Sequence, residues 1–127
     1  MADNGITLVG NLTRDPELKF TSTGKAQTRF SIAVNRRWQK DGTWEEQVSY
    51  FDVTCWATLA ENVANTVTKG ARVIVTGRLE QRSWNTAEGE KRSTIEIVAD
   101  AVGLDLSKSP AGTAITKTPK LITEEAF

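Results

Sequence analysis

The chain has no histidine, a single cysteine (Cys55), three prolines, one tyrosine and no net charge. Without histidine, imidazole-based metal sites and Ser-His or Cys-His nucleophilic pairs cannot be assembled. One cysteine forms no internal disulfide, which fits a reducing compartment. No apolar run approaches the roughly 20 residues of a membrane-spanning helix. The opening Met1-Ala2-Asp3-Asn4 lacks the basic-then-apolar pattern of a secretory signal. Equal numbers of basic and acidic side chains, 16 of each, exclude a uniformly basic coat but leave room for a local basic groove. Paired acids occur at Glu45-Glu46 and Glu124-Glu125, but neighbours on a strand point oppositely. There is no Walker-type glycine-rich phosphate loop. Neither catalysis nor a metal nor a cofactor is expected.

What is abundant is tryptophan, with four in 127 residues, all before residue 107. Composition divides the chain there. Residues 1–106 also hold the tyrosine and three of the four phenylalanines, whereas residues 107–127 carry two of the three prolines and no aromatic until Phe127. The second segment buries too little apolar surface to offset its ordering entropy and is expected to be a flexible tail.

Within the body, residues 5–13 are β-branched and bounded by polar residues, and 18–21 form a short extension before Ser22-Thr23-Gly24. Residues 26–38 alternate, with Phe30, Ile32 and Val34 on one face and Arg29, Ser31 and Asn35 on the other. Asp41-Gly42 signals a hairpin turn, and 47–56 reads as the next strand. Thr58 and Glu61 have capping-box spacing ahead of an apolar stripe at Leu59, Val63 and Val67, with Lys69 and Gly70 suited to the helix end. Strands resume at 71–84 and 91–104. Five strands with one short helix between the third and fourth match an all-β Greek-key barrel of the oligonucleotide-binding (OB) type.

The strand faces indicate a ligand. In 47–56 the odd positions Phe51, Val53 and Cys55 should face the core, which leaves Tyr50 and Trp56 on the polar face. In 71–84 the core positions are Val73, Val75, Gly77 and Leu79, and the other face carries Arg72, Arg78, Arg82 and Trp84. Aromatics beside arginines suit single-stranded nucleic acid, because every base offers a π-face for stacking and cations follow the phosphates. Residues 25–40 add five cations and no acid, including Arg36-Arg37-Trp38. By parity alone Trp38 fits the core and a ligand-facing position equally, since a bulge would turn it outward. Trp44, in the turn region, is the least core-like of the four. An OB-type adaptor whose main ligand is protein is the other reading of such a barrel, and would need its aromatic face buried against a partner.

Three blocks carry a family resemblance. They are Val9-Gly10-Asn11-Leu12-Thr13-Arg14-Asp15-Pro16-Glu17; Phe51-Asp52-Val53-Thr54-Cys55-Trp56 with Leu59-Ala60-Glu61; and Lys69-Gly70-Ala71-Arg72-Val73 to Gly77-Arg78-Leu79 with Arg82-Ser83-Trp84. In this order they resemble the bacterial single-stranded DNA-binding proteins over residues 4–106. The resemblance implies an OB-fold homotetramer that binds and protects single-stranded DNA without sequence preference in replication, recombination and repair. It also implies a cytoplasmic, nucleoid-associated location and stacking by Trp38, Tyr50, Trp56 and Trp84, with Arg36, Arg37, Arg78 and Arg82 beside them. The family usually ends in a long linker and an acidic tip closing in Pro-Phe, which recruits replication and repair proteins. Here a short linker ends in Glu124-Glu125-Ala126-Phe127, with two acids and with Ala in place of Pro, so the resemblance implies Glu124, Glu125 and Phe127 as the residues of a weak docking tip.

Overall fold

Polar and apolar residues alternate through the first half of β3 (Ala26–Lys40) in the computed structural model of the chain, which describes residues 3–108 and Pro110. Ala26, Thr28, Phe30 and Ile32 are buried, whereas Gln27, Arg29 and Ser31 are half-buried. The docking residues Glu124, Glu125 and Phe127, and most of the segment expected to be a tail, lie outside the described residues.

The Asp41-Gly42 turn returns the chain into β4 (Thr43–Trp56). Asp41 and Gly42 have φ of 52° and 77°, the two positive values that a tight hairpin loop demands, and glycine takes its share without steric cost. Pairing is continuous from Lys40↔Thr43 to Gln27↔Trp56. This hairpin is longer than the sequence periodicity indicates. Its distal part, residues 35–50, has no buried position and only Trp38 half-buried, so no apolar alternation marks it.

β1 (Gly5–Leu12) pairs with β5 (Arg72–Asn85), β5 with β6 (Lys91–Leu104), and β6 in parallel with β4. β1 returns to β3 through Asn11↔Ala33 and Leu12↔Ile32, which closes the five long strands into the expected barrel. The short β2 (Glu17–Phe20) adds to β3 as an outer strand. Phe30, Ile32, Val53, Cys55, Val73, Val75 and Ile97 fill the interior. Each such aliphatic or aromatic side chain contributes about 1.5–3 kcal/mol of burial. Phe51 departs from the expected full burial: it is half-buried and lines an open pocket of about 440 Å³ with Ile6, Leu79 and Ile95.

The helix α1 (Ala57–Thr66) covers one barrel end with Ala60, Val63 and Ala64, and the buried Thr28 hydroxyl ties it down by donating to the Ala60 carbonyl at 2.7 Å. Its ends differ from expectation. Trp56 is the N-terminal cap residue, no side chain caps it, and Thr58 falls inside the helix, so the capping box does not form. The helix stops at Thr66, and Gly70 lies in the following turn, donating to the Leu12 carbonyl at 2.9 Å. The Lys69 backbone N–H is taken by Asp15 at 2.7 Å. The helix thus starts directly from the end of β4, and the segment after it is held by Leu12 of β1 and by Asp15 in the loop that follows β1. No helix among the described residues is long and apolar enough to cross a membrane.

Candidate nucleic-acid interface

Cross-strand register decides which side chains share a face. On β4, Trp56, Thr54, Asp52 and Tyr50 stand opposite Gln27, Arg29, Ser31 and Ala33 of β3, on the outside of the barrel. The β4–β6 pairs Val53↔Ile97 and Thr54↔Val98 bring Glu96 to the same side. Across β6, Arg82↔Thr94 and Trp84↔Arg92 extend it onto β5. The fold therefore gathers Tyr50, Trp56, Trp84, Arg78 and Arg82 on one outer surface. Tyr50 is 69% exposed and Trp84 47%. Trp56 is half-buried, with the Lys25 ammonium 4.8 Å from its ring centroid, a cation–π distance.

The arginines differ in how free their charge is. Arg78 pairs with Glu80 at 2.8 Å and lies 3.8 Å from Asp100. Arg82 lies 3.8 Å from Glu96, which also takes hydrogen bonds from Arg29 and from the Thr54 hydroxyl, each at 3.1 Å. The Ser31 hydroxyl donates to Asp52 at 2.6 Å. Arg36 and Arg37 make no ion pair among the described residues. Each instead covers an indole: Arg36 is 4.9 Å from the Trp38 ring and Arg37 5.2 Å from the Trp44 ring.

These two stacks lie on opposite faces of the distal hairpin. Arg37↔Glu46 and Gln39↔Trp44 continue the face of Tyr50 and Trp56, whereas Arg36↔Gln47 and Trp38↔Glu45 continue the parity of Phe30 and Ile32. No register break turns Trp38 to the other side. It stays out of the core because the ribbon has left the barrel: all of residues 41–50 are exposed. Trp38 is half-buried beneath Arg36. Trp44 is 62% exposed and belongs to the start of β4.

Sequence reasoning missed Glu96, buried on this outer surface. Its signal was a lone acid in the apolar run Ile95-Glu96-Ile97-Val98. Elsewhere, burial pushes the Cys55 thiol up to about 12, which keeps it protonated and unreactive.

The model of the single-strand binding protein family matches residues 3–105. The single-stranded DNA-binding protein of Mycobacterium leprae is 47% identical over 112 residues, covering 86% of this chain and 67% of that protein. That of Corynebacterium glutamicum is 46% identical over 123 residues, covering 94% of this chain and 54% of that protein. The chain thus spans between about half and two-thirds of the length of these curated relatives. The crystal structure of the small single-stranded DNA-binding protein from Streptomyces coelicolor superposes with a TM-score of 0.71 at 30% identity, covering 86% of this chain and 100% of that one.

Proposed function

The chain belongs to the single-strand binding protein family, and from that premise we propose that it binds single-stranded DNA across the outer surface of β3, β4, β6 and β5. The reading is carried by the collection of Tyr50, Trp56 and Trp84 on one face with cations beside them. Rings stack on any base and cations follow the backbone, so the binding is independent of sequence and protects the strand during replication, recombination and repair. On the projecting hairpin Arg37 and Trp44 extend the track along the same face, and Arg36 and Trp38 offer a second contact on its reverse. Arg78 and Arg82 contribute less charge than their number suggests, because acids already occupy them.

We also assign residues 1–106 to the binding domain, with the remainder as a tail whose Glu124, Glu125 and Phe127 dock weakly to replication and repair proteins. Self-association into a homotetramer fits the surface of β1. Its pairing to β3 is confined to Asn11 and Leu12, so the edge of Gly5–Gly10 that faces away from β5 has no strand partner among the described residues. Ile74, opposite Val9, is 38% exposed. Open edges with apolar neighbours are normally covered. Light scattering should give four copies, and a monomeric mass at micromolar concentration removes the assembly.

Titration of labelled oligo-dT and of a mixed-sequence oligonucleotide, read by fluorescence anisotropy, tests the function. Similar affinities for both are expected. No binding of either at low salt overturns the reading and leaves an OB-type adaptor for proteins.

A further inference from the structure

Among the described residues, Glu96 is the one acid buried on the outer surface that carries the rings, with its side chain 7% exposed. β6, which bears it, lies between β4 with Tyr50 and Trp56 and β5 with Trp84. Burying a carboxylate costs desolvation energy that an apolar residue would not, and the cost is offset only by good partners. Glu96 has three: the Arg29 guanidinium at 3.1 Å, the Thr54 hydroxyl at 3.1 Å and the Arg82 guanidinium at 3.8 Å. Both arginines remain accessible, with side chains 42% and 52% exposed. They sit where a DNA strand would cross, yet share one buried negative charge.

We propose that Glu96 is the positioning residue of this interface: it holds Arg29 and Arg82 between the stacking rings, reserving the centre of the face for bases and leaving phosphates to the cations at its margins. A phosphate approaching Arg29 or Arg82 meets the Glu96 carboxylate already bound there and the repulsion of its charge. Lys25 and Arg37, at the margins of this face, are held only against indoles and carry no such competitor among the described residues. Fixed guanidiniums also present flat surfaces and spare donors to base edges. The inference rests on single-stranded DNA being the ligand.

The test is the salt dependence of oligo-dT binding by the full chain carrying Glu96→Gln. Neutralising Glu96 releases both guanidiniums to phosphates. The slope of log affinity against log salt should steepen by up to ~0.7 for each new phosphate contact, and binding at low salt should tighten. The double variant Arg29→Gln/Glu96→Gln removes one charge of each sign and frees Arg82 alone, so its slope should steepen by up to ~0.7. Circular dichroism and thermal melts establish folding. An unchanged slope in a folded variant, with affinity uniform or uniformly lowered across salt, overturns the proposal. So does loss of folding in both variants, which makes Glu96 structural only. Failure of the unaltered protein to bind oligo-dT refutes the DNA reading itself, a distinct result.

Discussion

Replacing Trp84 by alanine separates a stacking surface from a packing one. The ring lies on the outer face of β5, 47% exposed, opposite Arg92 and one residue from the strand end. Little of the fold depends on it, so stability should change by no more than about 0.5 kcal/mol, the usual range for surface positions. Its loss from a bound complex removes one base–aromatic stack, ~1–3 kcal/mol. At about 1.4 kcal/mol per tenfold, Kd rises roughly 5- to 150-fold. Trp56→Ala loses a stack of the same kind and also the ring beneath Lys25 at 4.8 Å, so its binding loss should be at least as large. Because Trp56 is half-buried, it should destabilise the fold as well. The two rings stand on strands separated by β6, and the double variant should lose close to the sum of the single losses. Anisotropy of a labelled oligonucleotide is the suitable assay, since removing tryptophan alters intrinsic emission. A Kd within twofold of the original with an unchanged melt would falsify the assignment of this face. A large drop in the melt for Trp84→Ala would instead mean that the indole holds the barrel together.

Gly77→Ala should unfold the barrel at a markedly lower temperature: a Cβ there would lie 2.1 Å from the Val98 carbonyl oxygen, at the register shift between Thr76 and Gly77. Backbone must move to admit it, costing about 3 kcal/mol or more and on the order of 10 °C in thermal midpoint, and a melt unchanged within error refutes the close approach. The Ser107 backbone N–H and hydroxyl, then Arg72, hold Asp105 down to about 2 from 3.8. Its folded value lies below its unfolded one, so its stabilisation is complete above about pH 4 and lost as pH falls towards 2. Melts of the protein and of Asp105→Asn should therefore converge over that window, and a gap independent of pH contradicts the assignment.

Where burial alternates, the sequence was readable. Phe30, Ile32, Val53, Cys55, Val73 and Val75 took the core positions their parity indicates, and parity likewise put Tyr50, Trp56, Arg82 and Trp84 outside. The helix ends were less legible because capping preferences are local and modest, about 1 kcal/mol each. Here they yield to the strands on either side: Trp56 ends β4 and caps α1, and the segment after Thr66 is held by Leu12 and Asp15. Ala57 even adopts a φ of 59° at that junction, a left-handed conformation that costs about 1–2 kcal/mol for a residue with a Cβ. Nothing in the local sequence signals it: the residue sits where β4 passes directly into the helix.

Trp38 marks the limit of parity itself. Alternation assigns a residue to one of two faces, but gives that face a meaning only while the strand stays in the barrel. Beyond Val34↔Ser49 the hairpin has no third strand on either side among the described residues, and the face that was interior becomes a second exterior. The choice between core and ligand for Trp38 therefore has a third outcome, an indole on the reverse of the ribbon with Arg36 over it. Arg37 over Trp44 makes a similar pair on the front. On the proposed path, a strand running along the outer surface of β4 would meet Tyr50 and the front pair in succession, whereas Trp38 would meet it only where the DNA rounds the hairpin or a second segment passes behind. For an oligonucleotide just long enough to cover the barrel face, truncating Trp38 should thus cost less affinity than truncating Trp56. The difference should narrow as the DNA becomes long enough to reach both sides.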